Sequence, residues 1–184
     1  MIRIGQMLAA LASAVTLALT GTGIAHASVS QIQDGFESNP GASWNIQTVG
    51  SGHAGFDYNI GPTPRSGRGN GWLHSGYSAG SAGALGTRGP SMGGGGLSHC
   101  TAQVYVNPLN NRSHEITVEA FTTSNARIAS ADRLLAYPGY QPVTLDFDIA
   151  GFQSVYVRYT LWDSGRGFDG EWVRLDDFTL SCWW

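Results

Sequence analysis

The segment that decides the fold is residues 171–182, EWVRLDDFTLSC, near the carboxyl end of the chain. Its apolar residues occupy odd positions up to Leu175 and even positions from Phe178 onward. Successive side chains of a strand point to opposite faces, so one regular strand cannot bury both sets. One extra residue at Asp176 or Asp177, a β-bulge, returns both halves to the same core and re-aims a carboxylate. The segment therefore predicts a bulged, half-buried strand.

Four other segments alternate apolar and polar residues with the same period of two, and turn-forming residues separate them. They are residues 102–106, 116–120, 143–147 and 155–161. Half-buried antiparallel strands have this pattern, and no sustained apolar repeat at helical spacing follows Ser28. We therefore predict an all-β domain built as an antiparallel sandwich or a barrel.

The region from about residue 61 to 96 has a different composition, dominated by glycine with scattered serine and proline. Within it, residues 71–74 and 84–88 resemble short strands. Glycine-rich stretches of this length are typical of surface loops. We expect a long set of loops or a partly mobile flap.

The first 27 residues have the pattern of a secretory signal peptide. Arg3 precedes an apolar run over residues 8–19, and Ala25-His26-Ala27 matches the small-x-small cleavage pattern. The run is too short for a membrane anchor, which needs about 20 apolar residues. We predict cleavage before Ser28, an extracellular location, and one domain over residues 28–184 with no membrane span.

The charge balance excludes one class of partner. Ten arginines and no lysine stand against thirteen acids, for a formal net charge of -3. Binding to nucleic acid irrespective of sequence depends on clustered cations that neutralise phosphates. We therefore expect no nucleic-acid partner.

The two cysteines have the position expected of a buried disulfide. Cys100 shares parity with the inward side chains of residues 102–106, and Cys182 shares parity with Phe178 and Leu180. Two cysteines this far apart lack the paired spacing of zinc ligands. We predict a disulfide in the core.

Acidic residues near both ends of the mature chain suggest a metal site. Asp34 and Glu37 flank Phe36, and Asp177 lies in the bulge. If the first and last strands are adjacent, the three carboxylates converge with backbone carbonyls on a calcium ion, which takes six to eight oxygen ligands. The alternative is that these acids accept backbone N–H bonds in turns.

Several of these stretches together carry a family resemblance. They are Asp34-Gly35-Phe36-Glu37 followed by Trp44, and residues 70–76 (NGWLHSG), 140–146 (YQPVTLD), 155–159 (VYVRY) and 172–178 (WVRLDDF). The chain resembles the jelly-roll β-sandwich modules of secreted bacterial proteins, including galactose-binding-like carbohydrate-binding modules and MAM-like domains. The resemblance implies a jelly-roll topology and a structural calcium, with Glu37 and Asp177 as ligands and Asp34 as a further candidate.

Aromatic side chains are the main functional signal. Flat rings present apolar faces to the C–H faces of sugars, and flanking polar groups bind the hydroxyls. The candidate ligand-binding residues are Trp72, Tyr77, Tyr137, Trp162 and Phe168, with Asp163 and Arg166 as polar neighbours. The alternative for each ring is partly buried packing. We assign Phe36, Trp44, Tyr140 and Trp172 to the core.

Two segments could instead indicate an enzyme. Gly76-Tyr77-Ser78-Ala79-Gly80 matches the nucleophile elbow of esterases, with His99 or His114 as the base, but no apolar strand precedes it and no helix follows. The acids of residues 163–171 could serve glycoside hydrolysis, although a hairpin turn is the simpler interpretation. The four mature histidines are expected in surface or turn positions.

We therefore predict a secreted, monomeric, non-catalytic module that binds an extracellular polysaccharide. A secreted hydrolase and a cell-surface protein-interaction module are the alternatives.

Overall fold

The computed structural model describes residues 28–58, 64–109, 113–164 and 170–184. The predicted signal peptide lies outside the described residues. The described chain forms strands β1 (Val29–Asp34), β2 (Trp44–Val49), β3 (His53–Tyr58), β4 (Gly69–His74), β5 (Ala82–Met92), β6 (Leu97–Pro108), β7 (His114–Phe121), β8 (Arg127–Leu135), β9 (Gln141–Ala150), β10 (Gln153–Trp162) and β11 (Trp172–Trp183). A 3-10 turn covers Pro40–Ala42. No helix among these residues is long and apolar enough to cross a membrane.

The strands form two antiparallel sheets, which confirms the predicted sandwich. The six-stranded sheet has the order β3-β4-β11-β6-β9, with β1 also paired to β11. The five-stranded sheet has the order β2-β5-β10-β7-β8. Strand β1 runs along the second half of β11, from the Val29–Trp183 pair to the Asp34–Phe178 pair. The first and last strands of the described chain are therefore neighbours, which meets the condition set for convergence of the acidic residues.

The bulge in β11 lies where the parity break placed it. Asp176 pairs with Tyr105 and Thr179 pairs with Gln103, so β11 advances by one residue more than β6. Asp177, with a φ of 49°, absorbs the difference in the left-handed region. Because of this extra residue, Leu175 and Phe178 both face the core, and both are buried.

The inward faces of the two sheets form one hydrophobic core. Phe36 and Phe178 both contact Trp44, with ring centroids 4.9 Å and 5.1 Å away. Tyr159 is fully buried on the facing sheet. Cys100 and Cys182 are direct cross-strand partners and form the predicted disulfide.

Two aromatic residues assigned to the core lie elsewhere. Trp172 is 37% exposed, because Val173 and Leu175 use the inward positions and Trp172 has the opposite parity. Tyr140 is half-buried just before β9 and does not belong to the core cluster.

The glycine-rich region is not a set of loops. It supplies β4 and the eleven-residue β5, and each of these strands has a neighbour on both sides. The predicted short strands at residues 71–74 and 84–88 are confirmed, since they lie within β4 and β5. The glycines of these two strands stand where another part of the chain approaches closely: a Cβ on Gly83 would lie 1.9 Å from the His53 carbonyl oxygen. The prediction of loops or a flap is therefore wrong for residues 69–74 and 82–92, because the glycines there provide space for packing and not flexibility.

Strands β10 and β11, which flank residues 163–171, do not pair with each other, so the hairpin interpretation of that segment is wrong. Strand β10 pairs with β5 and β7, whereas β11 pairs with β1, β4 and β6 in the other sheet. The two strands therefore belong to different layers of the sandwich.

Candidate functional site

A shallow groove lies on the outer face of the five-stranded sheet. Its volume is about 90 Å³, and its lining residues come from β2, β5 and β10. The small side chains of Ala82 and Ala84 occupy the middle strand, while Val49 and Trp162 are the large apolar residues beside them. Gln47, Arg158 and Thr160 complete the lining. The groove thus combines an apolar surface with hydrogen-bonding groups.

Trp162 is the exposed ring of this groove. The preceding Leu161 is fully buried in the core, so strand alternation turns Trp162 to the outer face. The backbone of Trp162 pairs with Ala82, which leaves the indole beside a residue with a minimal side chain. The indole is 43% exposed. It therefore presents an accessible apolar surface from a regular strand.

A hydrogen-bonded network fixes the polar side of the groove. Gln47 Nε2 donates to the Tyr156 hydroxyl at 2.6 Å, and Arg158 Nη1 donates to Gln47 Oε1 at 3.1 Å. Arg158 Nε and Nη2 donate to Glu119 Oε2 at 3.1 Å and 2.6 Å. Burial raises the pKa of Tyr156, so its hydroxyl is neutral at pH 7. The network holds the Arg158 and Gln47 side chains in place before any ligand arrives.

Gly86 explains how Tyr156 joins this network. The two residues lie on adjacent strands, and a Cβ on Gly86 would lie 1.9 Å from the Tyr156 hydroxyl oxygen. The phenol therefore lies across the backbone of β5, and any side chain at position 86 would displace it. Glycine here allows a close approach that brings the hydroxyl to Gln47.

Thr160 adds an unsatisfied polar group to the groove. The residue lines the groove but is 4% exposed, and its hydroxyl has no hydrogen-bond partner among the described residues. A buried hydroxyl without a partner costs free energy.

A second group of rings lies on the outer face of the six-stranded sheet. Trp72 and Trp172 are neighbours on β4 and β11, with ring centroids 5.2 Å apart. Trp172 also stacks on the buried imidazole of His74 at 4.3 Å, and Tyr77 contacts the same imidazole edge-on at 4.9 Å. Because Tyr77 is 59% exposed and Trp172 is partly exposed, this ring cluster is accessible.

The structure divides the predicted ligand-binding residues between the two layers. Trp72 and Tyr77 belong to the ring cluster, and Tyr137 is exposed in the loop before β9 of the same sheet. Trp162 lies on the opposite layer, followed by Asp163, whose backbone N–H donates to the Ser81 carbonyl. Arg166 and Phe168 lie outside the described residues. The described rings therefore do not form one continuous platform.

The groove residues other than Trp162 were missed by the sequence analysis. The polar positions of β10 carry the signal that could have found them, since Tyr156, Arg158 and Thr160 share the outward face with Trp162. Nothing in the sequence alone indicates that Gln47 faces them from β2.

The carboxylates predicted to bind calcium lie at one corner of the sandwich, and each accepts hydrogen bonds from the chain itself. Asp34 accepts from Phe36 N at 2.7 Å and from Trp44 Nε1 at 2.8 Å. Glu37 accepts from the backbone N–H groups of residues 68 and 69 at 2.9 Å and 3.0 Å. Asp177 pairs with Arg65. In the described ranges no group of three His, Cys, Asp or Glu side chains could hold a metal ion.

Two further oxygen-bearing side chains, those of Asp176 and Asn70, are buried at this corner. Leu175 pairs with Gly71, so the next residues on the two strands, Asp176 and Asn70, lie side by side on the outer face. Both are buried, and burial raises the pKa of Asp176. The carboxamide of Asn70 has no hydrogen-bond partner among the described residues. The Asp176 carboxyl accepts hydrogen bonds from Ser66 N at 3.0 Å and from Asp177 N at 2.8 Å. Amide and carboxyl oxygens are groups of the kind that calcium prefers.

The arrangement of the candidate nucleophile does not match a catalytic site. Ser78 lies in the turn that links β4 in one sheet to β5 in the other, and its hydroxyl contacts the hydroxyls of Ser81 at 2.7 Å and Ser51 at 3.4 Å. In the described part of the chain no histidine hydrogen-bonds to it. The strand–turn–helix context of an esterase elbow is likewise absent from the described residues around Ser78.

The two histidines considered as bases have other partners. His114 is fully buried, and its Nδ1 lies 2.9 Å from Glu171 Oε2. His99 Nδ1 lies 3.0 Å from Asp148 Oδ1 on the exposed surface of the six-stranded sheet. The expectation of surface or turn histidines is confirmed for His53 and His99 as surface residues, but His74 and His114 are buried within strands.

Comparison with known proteins gives matches in structure alone. No protein-family model and no curated protein sequence matches the chain. The arabinose-bound MgGH51 α-L-arabinofuranosidase matches with a TM-score of 0.58 and 11% identity, over 81% of this chain and 24% of the enzyme chain. The Clostridium thermocellum xylanase 10B CBM22-1-GH10 modules, complexed with xylohexaose, match with a TM-score of 0.54 and 14% identity, over 82% of this chain and 28% of theirs.

A third match covers a whole domain. The K1 cleaved adhesin domain of Lys-gingipain from Porphyromonas gingivalis W83 has a TM-score of 0.52 and 18% identity. It covers 82% of this chain and 97% of the adhesin domain. This chain thus spans about a quarter of the two enzyme chains and nearly all of the adhesin domain. The chain has the jelly-roll β-sandwich fold that the sequence predicted, and it shares this fold with the adhesin domain and with the xylanase modules.

Proposed function

We propose that this protein is a secreted, non-catalytic module that binds an extracellular polysaccharide through the groove on the five-stranded sheet. The observation that carries the proposal is the groove itself. An exposed indole flanks small side chains, and polar groups lie beside it, held by a network that is complete without a ligand. An apolar ring face and adjacent hydrogen-bonding groups are the two features that a sugar ring requires.

The comparisons support the same class of ligand. One protein of this fold is a xylanase fragment whose structure contains xylohexaose, and another is an arabinose-bound arabinofuranosidase. Fold likeness alone does not fix a ligand. The groove residues of this chain therefore carry the proposal, and the comparisons add support from two proteins of this fold whose structures contain a sugar.

An extracellular location is part of the proposal. The amino-terminal pattern of residues 1–27 supports export. The Cys100–Cys182 disulfide supports it further, since such bonds persist in oxidising compartments. Export would bring the module to polysaccharides outside the cell.

Calcium binding at the acidic corner is a further part of the proposal. Glu37 and Asp177 are the ligands that the family resemblance implies, with Asp34 as a further candidate, and the unpartnered Asn70 beside Asp176 supports an oxygen-rich site. A cation there would neutralise buried negative charge. Thermal unfolding tests this part: 1 mM CaCl2 should raise Tm relative to EDTA, because a ligand that binds only the folded state stabilises it. Equal Tm values in both buffers would refute calcium binding.

Affinity gel electrophoresis tests the binding function. The mature chain runs in native gels that contain soluble xylan, mixed-linkage β-glucan or hydroxyethylcellulose, and retardation measures binding. Trp162→Ala should weaken binding about 10- to 100-fold, since loss of a buried ring face costs about 1.5–3 kcal/mol. Trp162→Phe should retain most of the affinity.

The matched control is Trp183→Ala. Trp183 is 39% exposed, similar to Trp162, but lies at the end of β11 next to His99. This variant should bind like the wild type. If no polysaccharide retards the wild-type chain, or if both tryptophan variants lose binding equally, the proposed function is wrong.

A further inference from the structure

We infer that the ring cluster of Trp72, Trp172 and Tyr77 is a second polysaccharide-binding surface, and that the protein cross-links polysaccharide chains. This inference rests on the proposed function, because it assigns to the second surface the same class of ligand. The two surfaces belong to different layers of the sandwich.

The ring cluster is a fixed surface. The imidazole of His74 lies beneath it and contacts both Trp172 and Tyr77. Gly170 packs against the edge of the imidazole, since a Cβ on that residue would lie 2.2 Å from His74 Nε2. Trp72 is held in a similar way, because a Cβ on Gly55 would lie 2.6 Å from its indole carbon Cζ2. The rings therefore lose little conformational entropy when a ligand binds.

Polar groups flank the rings on the same face. Arg174 pairs across the strands with Trp72 on one side and with Asn107 on the other. The Asn107 side chain accepts a hydrogen bond from Gly139 N at 2.8 Å, which ties the loop of Tyr137 to this row. The row thus places aromatic rings next to a guanidinium and an amide. Ring faces beside hydrogen-bonding groups are the two features that a sugar ring requires.

The two surfaces face in opposite directions. In each sheet the inward side chains form the shared core, so the outward rings of Trp162 and of Trp72 and Trp172 point away from each other. The groove and the ring cluster thus lie on the outer faces of different sheets. An extended chain bound to one surface leaves the other free for a second chain. Two sites of one class on opposite faces make the protein bivalent.

Light scattering of the wild-type protein mixed with soluble xylan, mixed-linkage β-glucan or hydroxyethylcellulose tests this inference. We expect scattering to rise at intermediate protein concentration and to fall in excess protein, when every site on the polysaccharide is occupied separately. Trp162→Ala and Trp172→Ala should each abolish the rise. Each should also retain binding in affinity electrophoresis, weakened at least 10-fold. The double variant should not bind, and Trp183→Ala should scatter like the wild type.

The wild-type Trp172 ring packs on His74, so its removal in Trp172→Ala lowers stability as well as binding. A second variant controls for this effect. Tyr77 is more exposed and lies in a turn, so Tyr77→Ala should keep the wild-type Tm and still reduce the scattering at least threefold. Cross-linking is refuted if the wild type is retarded but never raises the scattering, or if Trp172→Ala and Tyr77→Ala both scatter like the wild type. In those results the groove still binds and the proposed function stands. Absence of any retardation of the wild type refutes the proposed function itself.

Discussion

Replacement of Tyr159 by phenylalanine should stabilise the protein, although it removes a polar group from the core. Tyr159 is fully buried between the sheets, with its ring 6.2 Å from that of Phe178. Its hydroxyl has no hydrogen-bond partner among the described residues. An unsatisfied buried hydroxyl lowers the free energy of unfolding by about 1–3 kcal/mol. Its removal leaves a void of one atom, which offsets part of that gain. We expect a net gain of about 1 kcal/mol.

The same substitution should change the response to alkali. Burial raises the pKa of Tyr159 above its ordinary value of 10. The unfolded chain therefore loses this proton first, and folding stability is lost as pH rises above 10, by about 1.4 kcal/mol per pH unit for one such group. Phenylalanine has no proton to lose. The variant should have a shallower decrease in stability between pH 10 and 11.5.

Chemical denaturation at pH 7, 10 and 11.5 measures both effects. A gain of 1 kcal/mol corresponds to about 2–4 °C in Tm for a domain of this size. Tyr156→Phe is the matched control, because it removes a hydroxyl that accepts a hydrogen bond from Gln47, and it should lose about 1 kcal/mol at pH 7. A loss of more than 1 kcal/mol in Tyr159→Phe, with an unchanged alkaline decrease, would show that the Tyr159 hydroxyl has a partner and would refute the reasoning.

Three further substitutions test the packing around the sites. The double variant Cys100→Ser/Cys182→Ser should lower the free energy of unfolding by about 2–4 kcal/mol, because the disulfide closes a loop with a sequence separation of 82 residues. An unchanged denaturation midpoint would contradict this prediction. Glu171→Ala removes a carboxylate from the buried His114 imidazole and should cost about 2–4 kcal/mol in denaturation, with Glu171→Gln costing less; equal losses in the two variants would count against a role for charge. Gly86→Ala should displace Tyr156 and weaken retardation by xylan at least threefold, while Tm falls by only a few degrees. Full retention of binding would show that the Tyr156 hydrogen bonds do not contribute to binding in the groove.

The parts of the fold that the sequence predicted are those that depend on alternation within one strand. The parity break at Asp176 and Asp177 gave the bulge, and the parity of Cys100 and Cys182 gave the disulfide. The same rule placed Trp172 outward, next to inward Val173, but the size of its ring led to a wrong assignment to the core. In β11, the alternation of side chains was a better guide to burial than residue type.

The parts that the sequence did not predict depend on contacts between distant segments. Strand β8 is an edge strand whose residues are mostly exposed or half-buried, so its sequence has no clean alternation. The glycines of β5 are required by Tyr156 and by the carbonyl of His53, which lie far away in sequence. The groove likewise needs Gln47 to meet Arg158 across β5, a register that only the folded sheet defines.

The most direct test of the polysaccharide groove is a titration of the isotope-labelled protein with xylohexaose, followed by ¹H–¹⁵N NMR. We expect the chemical shifts of the Trp162 indole N–H and the Arg158 Nε–H to change with the same saturation curve as xylohexaose is added. The chemical shift of the Trp183 indole N–H should stay unchanged. Saturable binding of this or a related hexasaccharide that leaves both the Trp162 and Arg158 signals unmoved would contradict it.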